Sequence, residues 1–114
     1  MALVCGPKNS RFTYTGSLCP HTDLAIEVSA NRLSEAISAY ERTFNAEVIP
    51  APMGIPELVG HEGKYFLHTD LDSGRKNLVD IHVFRGGRDL CVKQNLEFPI
   101  LPGDLIEMGE LIGQ

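Results

Sequence analysis

Only one stretch of this chain repeats its apolar residues at a helical interval, and that restriction shapes everything else. In "NRLSEAISAYERTFN", Leu33, Ala36, Ile37, Tyr40 and Phe44 fall at i, i+3, i+4, i+7 and i+11. That spacing lays one apolar stripe along an amphipathic helix at about 32–44. Asn31 is the expected N-cap, Glu35 suits the positive end of the helix dipole, and Asn45 suits the left-handed C-terminal position. Every other patterned segment alternates at period two or runs briefly apolar between turn residues. A chain with one helix and many short strands must build a sheet and lay the helix on it.

The strands follow from the alternation. "RFTYTGS" predicts a short edge strand at 11–16, and "TDLAIEV" places Leu24, Ile26 and Val28 on one face. "AEVIP" returns to extended structure after the helix. "KYFLHT" and "LVDIHVF" read as two further strands joined by "DLDSGRKN". In the second of these, Val79, Ile81 and Val83 form the core face, leaving Leu78, Asp80, His82 and Phe84 on the other. Gly86-Gly87 supplies the positive φ angles of a two-residue hairpin, so 78–84 and 89–93 pair antiparallel. Pro102-Gly103 fits the central positions of a type II turn. The expected fold is α+β, with a mixed or mainly antiparallel sheet of six or seven strands and a single helix.

With 114 residues the chain forms a single domain, 1–114. Residues 1–10 carry little pattern and read as a loose N-terminal arm. The segment 50–63, "PAPMGIPELVGHEG", holds three prolines and three glycines, so it reads as a long loop. Its apolar residues Met53, Ile55, Leu58 and Val59 need something to cover, and long loops of this kind serve as lids or contact surfaces.

Net charge is -5, against the basic face that nucleic-acid binding needs. No apolar run approaches membrane-spanning length, and "MALVCG" lacks the apolar core of a secretory signal. The three cysteines, Cys5, Cys19 and Cys91, form no CxxC pair. Three free thiols in a reducing cytoplasm is the expected state.

The residues that could carry chemistry are histidines and acids at i, i+2 spacing. "HTDL" occurs at 21–24 and again at 68–71, and Asp80 with His82 repeats the spacing in reverse. Residues two apart in a strand share a face. His21, His68, His82 and Asp23 (or Asp80) are therefore a candidate ligand set for a divalent metal, with donor types suiting Zn, Fe, Mn or Ni. The same residues also serve as the polar outer face of a half-exposed antiparallel sheet.

The run "LAIEVSANRLSEAISAYERTFNAEVI", 24–49, resembles the opening β-α-β of the vicinal oxygen chelate superfamily, the glyoxalase and extradiol dioxygenase group. With the strands at 64–69 and 78–84 it gives one β-α-β-β-β module over 21–84. The resemblance implies a metal-dependent enzyme acting on a small oxygenated substrate, with ligands from the strands. The chain departs from that family where it holds Asp23 in place of a first-strand histidine. It also offers no second helix in 85–114, so a complete cleft would need two chains.

Two functional expectations follow. The first is a small non-catalytic ligand-binding or interaction domain acting as a homodimer. Its site is the sheet face bearing Asp23, Asp80 and His82, closed over by Met53, Ile55 and Leu58. The second is the metal-dependent enzyme of the vicinal oxygen chelate type. Dimerisation is expected because one helix covers only part of such a sheet, and two-fold association is the commonest way to bury the remainder.

Overall fold

The structure, a computed structural model, describes residues 1–7, 25–51 and 63–110. Within them lie one helix and seven strands, in the order β1 (Ala2–Cys5), β2 (Ala25–Val28), α1 (Leu33–Phe44), β3 (Ala46–Pro50), β4 (Phe66–Asp70), β5 (Lys76–Arg85), β6 (Arg88–Cys91) and β7 (Leu105–Glu110). The α+β class and the single helix are as the sequence predicts. The expected strand at 11–16 lies outside the described residues.

All seven strands join one mixed sheet of order β2-β1-β7-β5-β4-β3, with β6 attached to β5 off that path. β1 and β7 are parallel, and every other pairing is antiparallel. β5 is the hub. Its residues 79–84 pair with β7 along one edge, while 76–79 pair with β4 and 82–85 with β6 along the other. The helix packs against β3 at one end of the sheet and against β2 and β1 at the other. A sheet whose two ends both touch one helix must curl around it, so α1 lies on the inner face.

The inner face is the core. Leu33, Tyr40, Phe66, Ile81, Ile106 and Met108 are fully buried there. Each such aliphatic or aromatic side chain contributes about 1.5–3 kcal/mol relative to exposure. The helical stripe lands as expected, with Leu33, Ala36, Ile37 and Tyr40 buried. On β5, Val79, Ile81 and Val83 point inward.

Residues 1–7, the described part of the expected arm, are not loose. Ala2–Cys5 forms β1 between β2 and β7, with Val4 and Cys5 fully buried. A strand covered on both faces reads as a short apolar run without alternation, and "ALVC" before Gly6-Pro7 has that form. Cys5 is disulfide-bonded, while Cys91 is free and exposed. The expectation of three free thiols therefore fails, and with it the redox argument for a reducing compartment. Pairing depends on the separation of Cα atoms in space, which sequence spacing does not reveal. No described helix is long and apolar enough to cross a membrane.

The helix ends differ in how local they are. At the C-terminus Asn45 adopts φ 51°, ψ 56°, and its N–H donates to the Glu41 carbonyl, as its type predicts. At the N-terminus Asn31 is not the cap. Arg32 occupies that position in extended conformation with no side-chain cap. The orphan amides of Leu33 and Ser34 instead donate to the carbonyls of Phe98 and Leu96, each at 2.9 Å. Asn31 contributes its own amide to Glu35 Oε1 at 2.8 Å.

Both glycine-based turns form as expected. Gly86 and Gly87 have φ 58° and 79°, and Arg85 pairs with Arg88 across them. Gly103 has φ 89°, and the Asp104 amide donates to the Leu101 carbonyl. The segment expected as a loop from residue 50 starts one residue later, because Pro50 ends β3 opposite Phe66. A proline fits there because β3 is the end strand of the described sheet. The Ala51 amide bonds the Tyr65 carbonyl at 3.0 Å, holding the two ends of that segment together.

Candidate functional site

Antiparallel register sorts the polar residues by face. Phe84 sits opposite Leu105 on β7 and Asp89 on β6, and Leu105 sits opposite Leu3 on β1. One row across the outer face therefore runs Leu3, Leu105, Phe84, Asp89. The next row runs Cys5, Glu107, His82, Cys91 by the same pairings. Asp80 follows His82 on the same side of β5. Leu3, Leu105 and Phe84 are all half-buried, so this face is neither plain core nor plain solvent surface.

His82 is the centre of the arrangement. Its Nε2 lies 2.8 Å from Asp80 Oδ2, and its Nδ1 lies 2.7 Å from Asp89 Oδ1. A carboxylate only accepts hydrogen bonds, so satisfying both contacts requires an N–H at both ring nitrogens, which is the imidazolium form. Partial burial disfavours that charge. The hydrogen bonds to Asp89 and Asp80, with their negative charges, outweigh it and hold the His82 pKa above its usual value. Phe84 stacks on the ring at a centroid separation of 6.3 Å. Asp80 Oδ1 is buried without a hydrogen-bond partner among the described residues.

His68 belongs to a different environment. It pairs with Asn77 on β5, which puts it on the Val79–Ile81–Val83 side of the sheet, facing the helix. It is 4% exposed, and its Nε2 lies 2.8 Å from the Tyr40 hydroxyl. Its Nδ1 is buried without a hydrogen-bond partner among the described residues. Burial lowers the His68 pKa, opposed only in part by its own backbone and by Asp70, so the ring is neutral. Burial, and secondarily Asp70, pushes the Tyr40 phenol well above its ordinary value.

This partition corrects the expected metal set of His21, His68, His82 and Asp23. His68 and His82 point to opposite faces of one sheet and cannot meet at one ion. His21 and Asp23 lie outside the described residues. No group of three or more His, Cys, Asp or Glu side chains among the described residues is arranged to hold a metal. Of the expected ligand-contacting residues, Asp80 and His82 do come together, through a direct hydrogen bond. Asp23, Met53, Ile55 and Leu58 lie outside the described residues.

Two polar features escape the i, i+2 reading. Asp89 is the second carboxylate on His82, and the Gly86-Gly87 turn holds the signal for it. A two-residue turn pairs 85 with 88, hence 84 with 89 and 82 with 91, placing Asp89 diagonal to His82. The other is the Arg85–Asp104 pair. Arg85 Nε and Nη2 donate to the two Asp104 oxygens at 2.9 and 2.7 Å, and Nη2 also reaches the Pro99 carbonyl at 3.0 Å. Asp104 is 2% exposed and also accepts the Leu101 amide at 2.8 Å. The Arg85 hydrogen bond, more than any other contact, holds the Asp104 carboxyl below its usual range. This pair ties the 99–104 turn to β5 through Nε and Nη2 of Arg85.

Neither a family model, nor a curated protein, nor a solved structure matches this chain.

Proposed function

We propose that this chain is a small non-catalytic binding domain that works as a homodimer, meeting its partner through the outer sheet face around Asp80 and His82. The supporting observation is the state of His82. Each ring nitrogen is bonded to a carboxylate. In that state the ring has no lone pair with which to abstract a proton or bind a metal. The same geometry argues against the metal-dependent alternative, which has to take its ligands from this histidine and from His68 on the opposite face.

Beside the polar row lies the half-buried apolar row Leu3, Leu105, Phe84. Continuous side chains of that type suit the centre of a two-fold contact burying ~800 Å² per partner. Asp23, Met53, Ile55 and Leu58 remain part of the proposal on sequence grounds alone.

Sedimentation velocity tests the dimer. Wild type at micromolar concentration should sediment at twice the 12.5 kDa chain mass. Phe84→Glu and Leu105→Glu should sediment as monomers with unchanged far-ultraviolet circular dichroism. A wild type that stays monomeric over the whole micromolar range overturns the homodimer reading.

A further inference from the structure

We propose that Asp80, His82 and Asp89 form a proton-operated latch that fastens β6 to β5. The three residues lie on the outer face proposed above for the partner contact, and the latch is built from contacts within one chain. β6 is four residues long and, among the described strands, pairs with β5 alone, from His82↔Cys91 to Arg85↔Arg88. On its inner side Leu90 packs against the core and the following Val92 is buried. On its outer side the described side-chain bond to β5 is Asp89 to His82.

The proton count decides whether that bond exists. With the ring protonated, two N–H donors serve two carboxylates, and the trio carries one net negative charge. With the ring neutral, one N–H remains, and a nitrogen lone pair faces a carboxylate oxygen at under 3 Å. That contact must open, and solvent access determines which one does. The Asp80 side chain is 16% exposed, and its other oxygen already lacks a partner among the described residues. The Asp89 side chain is 49% exposed and can rehydrate at little cost. The surviving N–H therefore stays with Asp80, which shares β5 with His82, and Asp89 on β6 is released.

Among the other described titratable or charged groups of the neighbouring strands, Glu107 on β7 stands directly across from His82 in the register. Cys91 on β6 stands across on the other side. At the hairpin end Arg85 is committed to Asp104, and Arg88 is exposed. β6 is thus held most firmly below the His82 pKa and loosens as pH rises through it.

Two measurements on the full chain test the latch. Ring nitrogen and carbon shifts of His82 across pH should show an imidazolium titrating above the ordinary 6.5. Amide exchange across β6, corrected for intrinsic pH effects, should lose at least about tenfold protection between about pH 5.5 and about pH 8.5. In Asp89→Asn the side-chain amide can either accept from the ring or donate to it. Its β6 protection should therefore change less than about threefold over the same range. A His82 midpoint at or below 6.5 overturns the proposal. So does wild-type protection that is flat with pH, or an Asp89→Asn variant that loses protection as wild type does.

Discussion

Tyr40→Phe removes one oxygen from the centre of the protein and leaves the ring packing in place. The Tyr40 ring lies 5.0 Å from Phe44 and 5.6 Å from His68, centroid to centroid, and is fully buried. The hydroxyl is the described hydrogen-bond partner of His68 Nε2, and Nδ1 has none among the described residues. Without the hydroxyl, a 4%-exposed imidazole would have neither nitrogen satisfied. Stranding a buried polar group costs about 1–3 kcal/mol, so a loss of about 2 kcal/mol is expected. At roughly 4–8 °C per kcal/mol for a domain near this size, the midpoint should fall by about 10 °C.

Urea unfolding at neutral pH, with m held common, measures the loss. Adding His68→Leu to Tyr40→Phe should recover part of it, because no stranded nitrogen then remains. The reasoning also carries a pH signature. The folded-state pKa of His68 lies below its ordinary 6.5, so the unfolded chain binds the extra proton first as pH falls. His68 therefore makes wild type lose stability from about pH 6.5 downward to that lowered pKa, and His68→Leu removes this slope. His82 acts in the opposite sense. Its pKa is raised, so its contribution is complete below 6.5 and is lost as pH climbs through the folded value. Tyr40→Phe within about 0.5 kcal/mol of wild type, or a double variant no better than the single, would refute the account of this pair.

The remaining predictions concern the frame. Val4→Asp puts a carboxylate at a fully buried position between β2 and β7 and should abolish the cooperative thermal transition seen by circular dichroism. Were β1 only an arm, the variant would melt like wild type. Gly87→Val, at φ 79°, should cost about 1–2 kcal/mol in urea unfolding, whereas Gly86→Asn, at φ 58°, should stay within about 0.5 kcal/mol. Equal losses for both substitutions would show that the turn is not of the expected type.

What the sequence determined by itself is local. The stripe Leu33, Ala36, Ile37, Tyr40 needs only the helical repeat to define its buried side. Asn45 needs only its tolerance of positive φ, and Gly86-Gly87 only theirs. The inward set Val79, Ile81, Val83 and the outward set Asp80, His82 follow from alternation within β5 alone. Even Asp89 was within reach, because a two-residue turn fixes register for several residues on either side.

Only the tertiary structure decided the rest, because it depends on residues far apart in the chain. β1 is a strand through its pairing with β2 and β7. The amides of Leu33 and Ser34 are satisfied by carbonyls more than sixty residues away. Most consequential is the fate of the two histidines, alike in sequence context. Strand pairing puts His68 on the helix side, neutral and tied to Tyr40, and leaves His82 outside, charged between two acids. A one-residue shift in the β4–β5 register would have placed them on the same face.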